Sequence, residues 1–124
     1  MTNSGVIKKL SEQQENDIAK LLSGKVQPNS GGTRFGGGDV LTKEFLIEAK
    51  TTVKHKDSFG IRLEWLNKAY KQSYEQNKKY YALAFRFDPD DSDFFVVDSK
   101  LMKKLVEYIE EDNKYEWWFK IHTC

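Results

Sequence analysis

The stretch Phe45-Leu46-Ile47-Glu48-Ala49-Lys50 fixes one backbone conformation more firmly than any other part of the chain. In an extended strand successive side chains point to opposite faces, so Phe45, Ile47 and Ala49 share one side while Glu48 and Lys50 share the other. An apolar row of this kind buries against a core and sends both charges to a common face. Immediately upstream, Gly36-Gly37-Gly38 runs into Asp39-Val40, a glycine-rich loop feeding a second short strand. Strands are expected over 39–42 and 44–52, turning around Thr42-Lys43. Pairing them brings Asp39 beside Glu48, with Lys50 alongside. Two carboxylates are what a hard divalent cation such as magnesium binds, and a lysine beside them can orient a water or offset the charge of a phosphate.

The rest of the chain supplies elements to cover both faces of such a sheet. Residues 1–10 read as a loose entry. Ser11-Glu12-Gln13-Gln14 matches a capping box, which predicts a helix over 11–22 with Ile18, Leu21 and Leu22 inward and Gly24 ending it. Lys25-Val26-Gln27 reads as a short strand before Pro28-Asn29. The loop 29–38 is not a phosphate-binding P-loop, because no Gly-Lys-Ser/Thr follows it and a strand comes next. Phe59, Leu63, Leu66, Tyr70 and Tyr74 recur at helical spacing and predict a helix over 58–76. Residues 80–87 read as a buried strand, 88–93 as an acidic turn and 94–97 as the returning strand. Asp98 or Ser99 caps a third helix with Leu101, Leu105, Tyr108 and Ile109 inward. Alternation of Tyr115, Trp117, Phe119 and Ile121 predicts a final strand over 115–121. The fold class is α/β, a single domain over 1–124 with its core in 11–98 and a C-terminal helix and tail in 99–124.

A chain of 124 residues is long enough for one real core. Its longest apolar run, 80–85, is far short of the roughly 20 residues that span a bilayer, so no membrane association is expected. The polar start lacks a signal-peptide core, and the lone Cys124 excludes an internal disulfide. Both point to a cytoplasmic location. The net charge of +1 is unevenly spread: residues 50–79 carry eight Lys and Arg against Asp57, Glu64 and Glu75. That surplus suits a polyanionic partner, and equally a solvated lysine-rich helix.

Asp-x-Lys and Glu-x-Lys triplets occur three times, at Glu48-Ala49-Lys50, Asp98-Ser99-Lys100 and Asp112-Asn113-Lys114. The third sits in a helix, and helix capping accounts more simply for the second. Only the first lies within a strand and has an acid in the strand before it. The acidic turn at 88–93 lacks the ligand spacing of an EF-hand. His55 and His122 have no metal-ligand partners at recognisable spacing, and no cysteine pair suggests zinc. Trp117 and Trp118 suit burial or a dimer contact better than base stacking.

Taken together these residues resemble the PD-(D/E)xK nuclease superfamily, and within it the archaeal-type Holliday junction resolvases, including versions carried by phages. The resemblance spans about 11–98. It rests on Ala19-Lys20-Leu21-Leu22 ending the first helix, Ser30-Gly31-Gly32, Gly38-Asp39-Val40, Ile47-Glu48-Ala49-Lys50-Thr51, the long helix, and Leu83-Ala84-Phe85-Arg86-Phe87. Gly38 stands where that family usually has proline. The resemblance implies a restriction-endonuclease-like core, a mixed central sheet flanked by helices in the order α-β-β-β-α-β-β-α. It implies Asp39 and Glu48 as magnesium ligands (manganese substituting), the Ala49 carbonyl as another, and Lys50 near the attacking water. It also places an acid on the first helix at Glu15, as a catalytic residue and further candidate ligand, with Asp17 and Glu12 as fallbacks. Ser30 falls where the family has a functional serine.

The expected activity is therefore magnesium-dependent DNA phosphodiester hydrolysis on branched DNA such as a four-way junction, by a homodimer and without a nucleotide cofactor. Thr33, Arg34, Lys54, His55, Lys56 and Arg86, with Ser30, are the candidates for gripping DNA, a sequence-blind attachment weakened by salt. Nothing resembles a base-reading helix or zinc finger. Nicking, flap or restriction-like cleavage, a catalytically silent DNA-binding module, and an unrelated interaction protein remain as alternatives. For a phage-encoded chain the compartment is the host cytoplasm.

Overall fold

In the computed structural model, residues 3–27, 39–52, 57–87 and 92–122 are described. They form α1 (Asn3–Leu22), β1 (Lys25–Val26), β2 (Asp39–Leu41), β3 (Phe45–Thr51), α2 (Leu63–Glu75), β4 (Tyr80–Arg86), β5 (Asp93–Val96) and α3 (Ser99–His122). The fold is α/β, with three helices and a five-stranded mixed sheet of order β1-β2-β3-β4-β5. Only β3 and β4 pair in parallel. Parallel neighbours need a crossover, and α2 is that crossover. Among the described residues no helix is long and apolar enough to cross a membrane.

Alternation along the central strands divides the core in two. Val40, Ile47, Ala82 and Ala84 pack with Ile18 of α1 on one face. Leu83 and Phe85 pack with Ala69 of α2 on the other, where Trp65, Leu66 and Phe59 close over them. Helices α1 and α2 thus each cover one apolar face of the sheet, which leaves the charges of β3 to be accommodated beneath α2.

The helix ends obey local chemistry. Ser23 takes the left-handed conformation (φ 55°) that closes α1, and the Gly24 N–H returns to the Ala19 carbonyl at 2.8 Å. Gly24 itself is required by proximity: a Cβ there would lie 2.7 Å from the Leu41 carbonyl oxygen. Asn77 (φ 58°) ends α2 in the same way, with the Lys78 N–H on the Ser73 carbonyl at 2.8 Å. Asp98, rather than Ser99, caps α3 through a 2.8 Å bond from the Leu101 N–H to Oδ1.

Several sequence expectations are corrected. Helix α1 begins at Asn3, so Ser11 is not its cap but a buried residue in mid-helix. Its inward face is Ser11, Gln14, Glu15 and Ile18, while Leu21 is 68 % exposed. Helix α2 starts at Leu63 instead of residue 58. Phe59 reaches the core from the preceding coil, edge-on to Phe85 at 4.7 Å. Leu63, Tyr70 and Tyr74 are exposed, and the α2 face that packs is Trp65, Leu66, Ala69 and Ser73. The expected strand over 115–121 is absent, because α3 continues to His122. No glycine or proline interrupts residues 99–122, and alternating aromatics alone do not break a helix. Of its expected inward set only Leu101 is buried.

Candidate active site

The hairpin places Asp39 and Glu48 directly opposite one another, since Asp39↔Glu48, Val40↔Ile47 and Leu41↔Leu46 are the cross-strand partners of β2 and β3. Residues opposite each other project to the same face. That face is the one under α2, because Val40 and Ile47 already occupy the α1 side. Glu48 is 8 % exposed. Its Oε1 lies 3.4 Å from Lys50 Nζ on the same strand and 4.0 Å from Lys68 Nζ on α2. The Lys50 ammonium also sits 4.5 Å from the centre of the Trp65 ring, a cation–π contact that fixes its direction. Residues 65 and 68 share a face of α2 at helical spacing, so one turn of helix supplies both contacts.

The electrostatics of the pair are unbalanced. Burial, and then the neighbouring Glu48 carboxylate, raise the Asp39 pKa from 3.8 to about 6, against the opposing pull of Lys68 and Lys50. Glu48 Oε2 is buried with no hydrogen-bond partner. A buried acceptor without a donor is costly, as are adjacent carboxylates of like charge. A hard cation between them relieves both costs. These residues therefore fit a divalent ion of the magnesium type, which is commonly held by one or two carboxylates and completed by water and substrate oxygens.

The structure does not join every expected residue to this pair. Among the described residues no group of three or more His, Cys, Asp or Glu side chains converges for a metal. Glu15 is 4 % exposed on α1, whose Ile18 packs against the opposite face of the sheet. Asp17 is engaged with Arg86, and Glu12 is exposed. Ala49 lies between Glu48 and Lys50 with its side chain against the α1-side core. Ser30, Thr33, Arg34, Lys54, His55 and Lys56, together with the glycine-rich loop and most of the acidic turn, lie outside the described residues.

Arg86 is corrected outright. It is 6 % exposed and its guanidinium forks onto Asp93, with Nε at 3.1 Å and Nη2 at 2.6 Å. Nη1 reaches Asp17 at 2.9 Å. Its charge is neutralised inside the fold, so it ties β4 to β5 and α1 and offers nothing to a phosphate. Gln14 extends this buried network: its amide donates toward the Lys50 carbonyl (3.2 Å), the Ala84 carbonyl (3.3 Å) and Asp93 Oδ1 (3.1 Å). The Thr51 hydroxyl donates to the Gln14 side-chain oxygen.

Sequence reasoning missed Lys68 and Trp65. Lys68 entered only as one charge in a basic segment. Its signal was the Trp65-x-x-Lys68 spacing on the helix expected to cross over β3. Comparison of the chain with protein-family models, with curated proteins and with solved structures finds no match.

Proposed function

We propose that the chain is a divalent-metal-dependent endonuclease that hydrolyses DNA phosphodiester bonds, built on a restriction-endonuclease-like core and directed to branched DNA such as a four-way junction. The observation that carries this reading is the Asp39–Glu48 pair, in direct cross-strand register with two lysines beside it. Asp39 and Glu48 are the residues to hold magnesium, or manganese in its place, with the Ala49 carbonyl as a further donor. When bound, such an ion supplies charge neutralisation at the phosphate and an activated water for in-line displacement.

The chain's own contribution is preorganised charge. Lys50, held between Glu48 and the Trp65 face, orients the attacking water and donates to the phosphate oxygens. Lys68 adds positive charge on the same side, where negative charge builds in the transition state. The basic surplus in 50–79 supports attachment to the backbone without base reading, hence selection by DNA shape. A homodimer belongs to the same reading, since it would set two such sites on opposed strands. Helix α3 supports it with an exposed apolar row, Met102, Leu105, Tyr108 and Ile109.

The test is cleavage of labelled four-way, flap, nicked and linear duplex DNA with and without magnesium. Metal-dependent junction cutting that is lost in Asp39→Asn is the expected result. Preference for another substrate would make this a nicking, flap or restriction-like nuclease. Binding without cleavage in any divalent metal would make it a catalytically silent DNA-binding module. Absence of salt-sensitive DNA binding would end the proposal.

A further inference from the structure

On the far side of α2 from Lys68, a cavity of about 150 Å³ opens where the end of α2, the start of β4 and the first turn of α3 meet. Four tyrosines line it: Tyr70 and Tyr74, one turn apart on α2, and Tyr80 and Tyr81, adjacent on β4. The helical pair are not core residues, being 61 % and 79 % exposed. Tyr70 stands nearly perpendicular to Tyr81, at 86° with centroids 5.8 Å apart, which fixes one wall. Tyr80 is braced from behind by Phe45 at 5.0 Å.

The charged groups at the cavity divide by whether they are already engaged. Asp98 caps α3 through the Leu101 N–H and accepts from the Tyr81 hydroxyl, whose pKa is raised by burial and then by that carboxylate. Lys78 Nζ donates to the Thr42 carbonyl at 2.7 Å. Lys79, whose side chain is well exposed, pairs loosely with the half-buried Glu44 at 3.5 Å. Lys100 forms no ion pair or hydrogen bond among the described residues. Three ammoniums thus meet one carboxylate that is already bonded twice.

This chemistry selects the ligand class. A metal ion is disfavoured by the surplus of cations. The volume falls below the roughly 300 Å³ at which sites for drug-sized molecules begin, so the space suits one planar ring system. Exposed tyrosine faces with flanking lysines are the means by which single-stranded nucleic acid is held, bases stacking on rings and phosphates meeting cations.

The position fits as well. Tyr81 is the register partner of Leu46, two residues before Glu48 on the neighbouring strand. At ~3.3 Å per residue along and ~4.8 Å across the sheet, the two backbones lie roughly 8 Å apart. Helix α2 separates the acidic pair, on the Lys68 side, from the cavity, on the Tyr70 side.

We propose that this cavity receives one unpaired nucleobase of a branched DNA, stacked against Tyr70 and Tyr74, with Lys79 and Lys100 on the flanking phosphates. The inference rests on the DNA-cleavage reading of the Asp39–Glu48 site and names the feature of the substrate that site would recognise: a strand that leaves the duplex close to the bond to be cut.

The experiment compares binding of the full chain, by fluorescence anisotropy in calcium, to a plain duplex and to the same duplex bearing an oligothymidine arm. Tyr74→Ala and Lys100→Ala are the variants, both at surface positions where folding is not at stake. Tyr74→Ala should weaken armed-duplex binding about fivefold to a hundredfold, the range for losing one stacked base, and leave plain-duplex binding within about twofold. Lys100→Ala should lower the salt slope for the armed duplex by about 0.7. Unchanged arm binding in both variants overturns the cavity assignment and leaves the nuclease reading standing. Equal losses on both DNAs also overturn it, because general charge then suffices. Failure of the wild-type chain to bind either DNA removes both readings together.

Discussion

Asp39 and Glu48 face each other across the β2–β3 ladder, in register and on the side of the sheet covered by α2. Two acids held this way repel, and the fold keeps them together even though Glu48 Oε2 has no donor. That is an arrangement with a stability cost, and costs of this kind cluster at functional sites.

The cost is measurable in metal-free protein. The Asp39 pKa is raised from 3.8 to about 6, so between these values the folded state binds more protons than the unfolded. Stability from this group is therefore undiminished below about pH 4 and falls as pH rises to about 6. Asp39→Asn should abolish that component and make the protein more stable at pH 7, by about 1–2 kcal/mol once partial exposure is allowed for. Denaturant melts of both proteins at pH 4 and pH 7 check it. A variant less stable than wild type at pH 7 would contradict the electrostatics.

Metal should reverse the sign. Binding requires the carboxylates ionised and so releases a proton below about pH 6. Magnesium or manganese should raise the melting temperature of the wild type at pH 7, do so less at pH 5, and do little for Asp39→Asn. Thermal shift across a metal titration at both pH values is the measurement.

Lys50 is directed by Glu48 and by the Trp65 ring 4.5 Å away. Lys50→Ala should reduce cleavage by about a hundredfold or more, the scale of losing one preorganised donor, while junction affinity changes little. Trp65→Phe should retain most activity. Trp65→Leu, which fills space without a π face, should lower kcat by roughly 3–30-fold, as expected for a cation–π contact worth ~0.5–2 kcal/mol. Single-turnover cleavage separates these effects from binding.

The sequence carried the Asp39–Glu48 pair because it rests on strand alternation and a short hairpin, both local. It did not carry the fate of Arg86, whose partners are Asp17 and Asp93. A lone arginine ending a strand looks the same whether it meets a phosphate or a carboxylate 69 residues away. The capping-box match at Ser11 misled for a related reason: the same four residues serve in mid-helix when Gln14 has carbonyls of β3 and β4 to meet. At 115–121, aromatic alternation suggests a strand, but no glycine or proline stops the helix before it. Lys68 stayed hidden because only the crossover of α2 above β3 brings it to Glu48.

Arg86 allows the sharpest separation between holding the fold and holding DNA. Its side chain and that of Asp93 are each 7 % exposed and 2.6 Å apart. Removing one member of a buried ion pair strands the other, at a cost of about 3–5 kcal/mol. Arg86→Ala should therefore lower stability by that order, as should Asp93→Ala. The double variant Arg86→Met with Asp93→Leu should recover much of the loss, because both charges leave together. Asp17 and the Gln14 amide then lose a partner each, so recovery is expected to be incomplete. At a temperature where each variant is folded, the salt slope of DNA binding should match the wild type. A slope reduced by about one in Arg86→Ala would return Arg86 to the phosphate backbone, so urea melts and salt titrations on the same three variants decide between the two roles.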